Sequence, residues 1–517
     1  MIFLRKTFPI LAVIFLLSVA LRLPQLGRPL SKHHEFCTAV SLRILEIWYD
    51  NGIGSYQYNP VMTYNHIADK NINNFANATG KIKDATGNFY YVSHPPFAYY
   101  FPFLIYKAIH YRPDVKSLQI INFLLHFIAA MFVYFTVCLL SFNRARSHLH
   151  IPSLVAFCFY VFAPPALWFQ GNVYMSDMSV QTPFVIGVYV VLKMIIRQKF
   201  QVPKYIFFYA IILFVMIYTS WLGFFYAASV IVYSLLHVRE IKGFRILILT
   251  TIVISIFTLR LITYQYSLIA GTEIYFNELF HRYLIRGSIG EINNGFWAFF
   301  ISYFHYLKNI IYNYAVNYTL YYLIIIGFLF FVFSKKKLKI TFTENGYRFI
   351  WLSLLPVLLM HMLFLNYSEH DFTVLYASLF LSVLMGIFYD KGKKSNSIKA
   401  GTLNLIYFLG VIVLCVQFTL SNLPGSRNIK GINYDLDKKI GEQIANQTDT
   451  NHVLFSYEKA EPQLIYYAKR NILNIQNEAA AYDFLKTNKL KLGSIITIAD
   501  KETNPKIAIK DIALPIQ

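Results

Sequence analysis

Long apolar runs recur along the chain, separated by short polar connections. The first covers residues 8–21, and ten more cover 117–140, 151–168, 178–196, 205–219, 220–237, 244–263, 314–333, 347–365, 370–389 and 400–420. Each, at roughly 15–24 residues, comes close to the length a helix needs to cross a hydrocarbon layer. The pattern predicts about eleven membrane-spanning helices. The run 205–237 is too long for one crossing and is divided at 219–223, where Thr-Ser-Trp-Leu-Gly interrupts it.

Three regions break the apolar rhythm. In residues 28–95, apolar positions Phe36, Val40, Ile44, Ile47 and Trp48 recur near helical spacing with Arg43 and Glu46 between them. That is the pattern of a helix lying in the membrane interface. Residues 51–88 are rich in Asn, Gly and Thr and read as loop. The aromatic segment 98–110 is too short to span and reads as a second interfacial or re-entrant helix. Residues 264–313 read as a long external loop carrying Glu273, Glu278, His281, Arg282, Arg286 and Glu291. Residues 422–517 have soluble composition, with helical patterns at 435–447, 461–470 and 478–486 and strand patterns at 452–456 and 493–498. The chain thus divides into a helical membrane domain, 1–421, and a small α/β domain, 422–517, on the extracytoplasmic side.

Charge placement orients these spans. The connections 143–146, 197–204, 239–245, 334–339 and 390–399 each hold at least two Lys or Arg, and the connections 170–177 and 366–370 hold none. The positive-inside bias then places the N-terminus in the cytoplasm and 28–95 outside, in a plasma or bacterial inner membrane. Arg5 and Lys6 precede the first span and no small-residue cleavage site follows it, so the span reads as uncleaved. Composition agrees: 56% of residues are hydrophobic and 14% charged, against about 25% charged in soluble domains. A net charge of +21 would suit nucleic acid, but its cations lie in short clusters between spans rather than in a basic domain. Four scattered cysteines form no disulfide framework and no metal pair.

The span interiors are nearly free of acids. The ionisable groups gather instead at one depth, the outer ends of spans: His33, His34 and Glu35; His94; Tyr174 and Asp177; Glu369, His370 and Asp371. Intramembrane ionisable groups usually mark a pathway or site, and a transporter would place them near the midplane. A rim site meets a lipid headgroup from the side and an acceptor from above. Each group also has a plain structural reading. Glu35 suits the positive end of a helix dipole, Asp177 a helix cap, and Arg282 and Arg286, spaced i and i+4, a solvated helix face. The same two arginines could grip a phosphate. Adjacent residues such as His33 and His34 rarely chelate one ion and no HExxH spacing occurs, so no metal and no cofactor is expected.

Several stretches carry a resemblance. An acidic residue, Glu35, follows the first span at the start of an interfacial helix; His94-Pro95-Pro96-Phe97 closes the first loop; Asn172 to Asp177 (Asn-Val-Tyr-Met-Ser-Asp) leads into a span; and Glu369-His370-Asp371-Phe372 leads into a late one. With a C-terminal domain carrying residues 462–470 (Pro-Gln-Leu-Ile-Tyr-Tyr-Ala-Lys-Arg), this resembles the GT-C class of integral-membrane glycosyltransferases, in particular bacterial relatives of the protein O-mannosyltransferase and aminoarabinose transferase families. The resemblance implies a sugar donor on a polyprenyl phosphate, transfer on the external side with inversion, and a protein, lipid or glycan acceptor. It implies Glu35 as the base; where the family more often has Asp-Glu this chain has His-Glu, and His34 joins as a catalytic candidate whose role, supporting Glu35 or contacting substrate, stays open. It carries substrate-binding roles to His94, Asp177 and His370, and Tyr174, Arg282 and Arg286 join them as candidates. A transporter or flippase, or a polymerase of lipid-linked sugars, is the alternative.

Overall fold

The computed structural model describes residues 2–30, 33–73, 80–141, 149–241, 243–287, 295–335, 343–394, 399–429, 435–499 and 506–514. The connections 143–146 and most of 334–339, together with Glu291, lie outside the described residues.

The chain opens with α1 (Ile2–Arg22) and, after a short crossing of the rim, α2 (Phe36–Asn51). A two-stranded hairpin, β1 (Lys81–Lys83) and β2 (Phe89–Tyr91), precedes α3 (Phe97–Ala108). The bundle continues through α4 (Val115–Leu140), α5 (Ile151–Phe162), α6 (Pro164–Asn172), α7 (Ser176–Ser179), α8 (Gln181–Ile196), α9 (Pro203–Thr219), α10 (Leu222–Leu236) and α11 (Phe244–Ala270). Then come α12 (Thr272–Arg286), α13 (Phe296–Lys335), α14 (Glu344–Leu363), the single turn α15 (Leu365–Ser368), α16 (Ser378–Lys394) and α17 (Ala400–Ser421).

Eight helices among the described residues are long and apolar enough to cross a membrane; the pair α5 and α6, bent by 56°, and the shorter apolar helices α9 and α10 coincide with the remaining expected spans. The expected break near 219–223 is present: α9 ends at Thr219 and α10 begins at Leu222. Gly223 permits the sharp reversal, since a Cβ there would lie 2.5 Å from the backbone N of Ile217.

Two expectations are corrected. The run 151–168 is not one straight span. Pro164 and Pro165 cannot continue a helix from α5, so the chain restarts at a new angle as α6. Residues 264–313 are not a loop: α11 continues to Ala270, α12 fills 272–286, and α13 starts at Phe296. Their Tyr and Asn content lowers mean hydropathy without breaking the helix. The 40-residue α13 contains one non-helical residue, Tyr318.

Beyond the bundle lie α18 (Leu436–Gln447), β3 (Val453–Ser456), α19 (Pro462–Ala468), β4 (Ile472–Asn474), α20 (Glu478–Thr487), β5 (Leu492–Ala499) and β6 (Lys506–Ala513). The strands form a sheet in the order β4-β3-β5-β6, with β3 parallel to β4 and β5, and β6 antiparallel to β5. This layer covers α2. Every residue of α2 from Cys37 to Trp48 is buried, so the helix expected at an open interface is enclosed on all sides. Arg43 donates to Asn471 Oδ1 at 2.7 Å, and Lys469 pairs with Glu46. Its polar positions Arg43 and Glu46 lie against the C-terminal residues.

Candidate functional site

Two cavities meet at one end of the bundle. The first, about 350 Å³, is an apolar groove between α10, α12 and α14, lined by Trp221, Phe276, Leu279, Phe280, Met360 and Phe364 among others. The second, also about 350 Å³, is a polar chamber walled by the start of α2, the β1–β2 hairpin, α12, the turn around α15, and residues 459–462. His94, Arg282, Arg286 and Tyr367 line both, so the groove runs into the chamber past two arginines.

The helix α12 is built for this place. It exposes Ile274, Phe276 and Phe280 on its outer side, which suits a helix bordered by lipid. Its two arginines turn the other way. The hairpin closes on it because Gly80, at φ +82°, has no Cβ; one placed there would lie 1.9 Å from Ser93 Oγ. The Gly80 N–H donates to the Glu278 carboxylate, which ties the hairpin to α12. Strand β1 thereby brings Lys81 into the chamber wall beside Arg282 and Arg286.

The chamber is cationic. Arg286 lies 4.5 Å above the Tyr367 ring, and its Nη1 is 3.3 Å from His370 Nε2, which must accept because a guanidinium only donates. Burial and the nearby Arg286 lower the Arg282 pKa. Burial, with Arg43 and Arg282 adding repulsion, lowers the Lys81 ammonium to about 7. Burial lowers His94 to about 4, with Arg286 and Arg282 adding to the shift against Asp177, and lowers His370 to about 3, again helped by Arg286. Both imidazoles are neutral at pH 7. The arrangement fits an anionic headgroup with a long apolar tail.

His94 is held in a fixed pose. Its carbonyl accepts from Tyr266 Oη at 2.6 Å. Its Nε2 lies 3.4 Å from Tyr367 Oη, and Tyr367 donates to Asp177 Oδ2 at 2.6 Å. Tyr376 donates to the other oxygen of Asp177. With the Tyr367 proton committed to Asp177, the imidazole fits as the Nε2–H tautomer. Its Nδ1 is buried with no hydrogen-bond partner.

Of the residues expected at the site, His94, Arg282, Arg286 and His370 line the chamber. Asp177 stands one layer behind it, reaching it through Tyr367. Tyr174 is placed elsewhere: its hydroxyl donates to the Ala98 carbonyl and its N–H to Thr38 Oγ1, so it fastens α2 to α3. His34 packs beside the wall residues His370 and Phe372, with Nε2 2.8 Å from Asp371 Oδ1. Glu35 is 1% exposed and is not among the lining residues. Arg28 holds it, Nη2 to Oε1 at 2.5 Å and Nη1 to Oε2 at 3.1 Å.

Lys81, Tyr91 and Tyr367 are wall residues the sequence reading did not single out. Tyr91 and Tyr367 lie three residues from His94 and His370 respectively, a proximity that was available as a signal. His33, His34 and Asp371 are the one group among the described residues whose ligand atoms, all within 4.8 Å, have the spacing to hold a metal ion.

No known family profile matches the sequence, and no curated protein matches it. Solved structures do match in fold. ArnT from Cupriavidus metallidurans in the apo state superimposes with TM-score 0.55 at 10% identity, covering 98% of this chain and 97% of its own. The same protein bound to undecaprenyl phosphate gives 0.51 at 12% identity, covering 95% and 93%. The oligosaccharyltransferase AglB from Archaeoglobus fulgidus, in complex with an inhibitory peptide and a dolichol-phosphate, gives 0.55 at 10% identity, covering 95% of this chain and 70% of its own. The chain therefore has the fold of these membrane proteins.

Proposed function

We propose that this protein is a glycosyltransferase that moves a sugar from a polyprenyl-phosphate donor to an acceptor hydroxyl. The observation that carries the reading is the junction of the apolar groove with the cationic chamber at His94, Arg282, Arg286 and Tyr367. The groove takes the first isoprene units and the cations take the phosphate. Two of the structures sharing its fold hold an undecaprenyl phosphate and a dolichol-phosphate, which supports the same ligand class here. In this reading the bundle, 1–421, spans the inner membrane with its N-terminus cytoplasmic, and 422–517 lies outside. A protein, lipid or glycan hydroxyl enters the chamber from the side of residues 459–462.

The acceptor oxygen attacks the anomeric carbon opposite the phosphate, so the product is inverted. The phosphate leaves as an anion, and Arg282, Arg286 and protonated Lys81 stabilise its developing charge. No general acid and no organic cofactor are needed. Glu35 was expected to take the acceptor's proton, but with both oxygens held by Arg28 it fits better as the anchor of α2. His94 fits the proton acceptor's position: it lines both cavities, its Nδ1 has no other partner, and Tyr367 and Asp177 hold its far side. Its depressed pKa makes it a weak base alone. A bound phosphate anion offsets the arginine repulsion and raises it.

Mass spectrometry of glycans and lipids from cells with and without the gene tests the function. The reading expects one sugar-bearing product to vanish and its lipid-linked donor to accumulate. Unchanged glycans with altered distribution of a lipid-linked sugar across the membrane would favour a transporter instead.

A further inference from the structure

We infer that His33, His34 and Asp371 form a binding site for a divalent transition-metal ion of the zinc type. The Nε2 atoms of the two histidines lie 3.3 Å from Asp371 Oδ2 and 2.8 Å from Oδ1. The ligand atoms of the three side chains all lie within 4.8 Å of one another. An ion seated between them would replace the contacts that the two imidazoles make with the carboxylate. Zinc bonds of about 2.0–2.2 Å at the tetrahedral angle set ligand atoms about 3.3–3.6 Å apart, so the His33 separation already matches and the His34 separation opens by about half an ångström.

Adjacent side chains on an extended strand point to opposite faces, the objection to a site at this pair. The backbone removes it. His34 has φ +57°, in the left-handed region. The kink brings the two rings to the same side, with centroids 5.0 Å apart.

The outer partners are also present. Arg427 Nη2 donates to Asp371 Oδ2 at 2.6 Å and its Nη1 to Asn317 Oδ1 at 3.2 Å, leaving Oδ1 for the ion. Two imidazoles and a carboxylate select a borderline first-row ion over magnesium or calcium, which prefer oxygen. The site ties the entrance to α2 to the segment between α15 and α16. His370 and Phe372, on either side of Asp371, line the chamber, so the ion fixes that wall. The inference does not depend on which substrate the chamber takes.

The full-length protein, purified in detergent and stripped with a chelator, is reloaded with zinc, desalted and analysed for metal content. The expected result is about one zinc per chain, with H33Q/H34Q retaining less than about a tenth as much. Arg427→Gln weakens binding about 10–100-fold, and excess magnesium does not displace the zinc. If wild type retains none, or H33Q/H34Q retains as much as wild type, the site is wrong and any zinc is adventitious. Should the double variant misfold, X-ray absorption of zinc-loaded wild type decides. Two imidazole shells support the site, and their absence overturns it.

Discussion

Arg28 and Glu35 grip one another through both carboxylate oxygens, at a point where Arg28 is 8% and Glu35 1% exposed at the side chain. A buried pair of this kind is costly to break from one side, because the remaining charge loses the counter-charge it faces; the loss is about 3–5 kcal/mol. E35Q and R28Q therefore lower thermal stability to a similar degree, and lower transfer only as far as they loosen α2. If E35Q instead abolished turnover while R28Q kept it, at equal stability, Glu35 would be the base after all.

His94 gives the opposite signature. H94Q preserves size and hydrogen bonding but cannot accept a proton, and turnover falls by about 10²–10⁴-fold with the fold intact. In the proposed role the working form is the neutral imidazole, so activity is expected above the His94 pKa and is lost as pH falls through it. The free-enzyme value of about 4 places the acid limb of kcat/KM near there. In kcat the limb lies higher, because bound phosphate favours the charged ring. A pH–rate profile checks both, and an acid limb unchanged in H94Q would contradict the assignment.

Lys81 sets a limb on the other side. Its ammonium, lowered to about 7, is charged below that pH and loses its charge above it. Affinity for a lipid phosphate is thus highest near pH 6 and falls by up to about tenfold toward pH 8, roughly one charge-assisted contact. K81Q loses this component and keeps only the pH dependence of the phosphate itself, whose second pKa is about 6, so the ratio of wild-type to K81Q affinity falls over the same range, measurable by titration with a short-chain polyprenyl phosphate.

The C-terminal residues are fastened to the first loop through Asp69. It is fully buried, accepts from Arg470 Nε at 3.2 Å and from the Asn471 N–H at 2.8 Å, and its carbonyl accepts from the Asn471 amide. D69A strands Arg470 and costs about 3–5 kcal/mol. Limited proteolysis in detergent reads this as earlier cleavage of residues 435–514, with the membrane helices protected.

The helical spans were legible because a bilayer demands uninterrupted apolar length, and even the break before Leu222 showed as a Ser-Trp-Leu-Gly interruption. Segment 264–313 was not, because α12 turns arginines inward and apolar side chains outward, opposite to a soluble helix. Strand β6, after the last strand the pattern identified, carried only a broken signal: Ile507 and Ile509 are two apart, but the next isoleucine, Ile512, falls out of phase. His94, Arg282, Arg286 and His370 were found because they stand out against apolar surroundings. Lys81 was hidden: it sits in a polar loop where one more lysine is unremarked, and only pairing of β1 with β2 beside α12 brings it to the chamber. That Arg28 grips Glu35 was not legible, because the partner lies seven residues away across a turn that sequence spacing does not show.

The central claim is that groove and chamber are one site for a polyprenyl phosphate. Native mass spectrometry of the purified protein with undecaprenyl phosphate tests it directly, comparing wild type with Arg286→Ala at the head of the site and Leu279→Trp in the groove. The account predicts one lipid per wild-type chain, with each variant binding at least about tenfold more weakly. Equal lipid retention by wild type and both variants would contradict it.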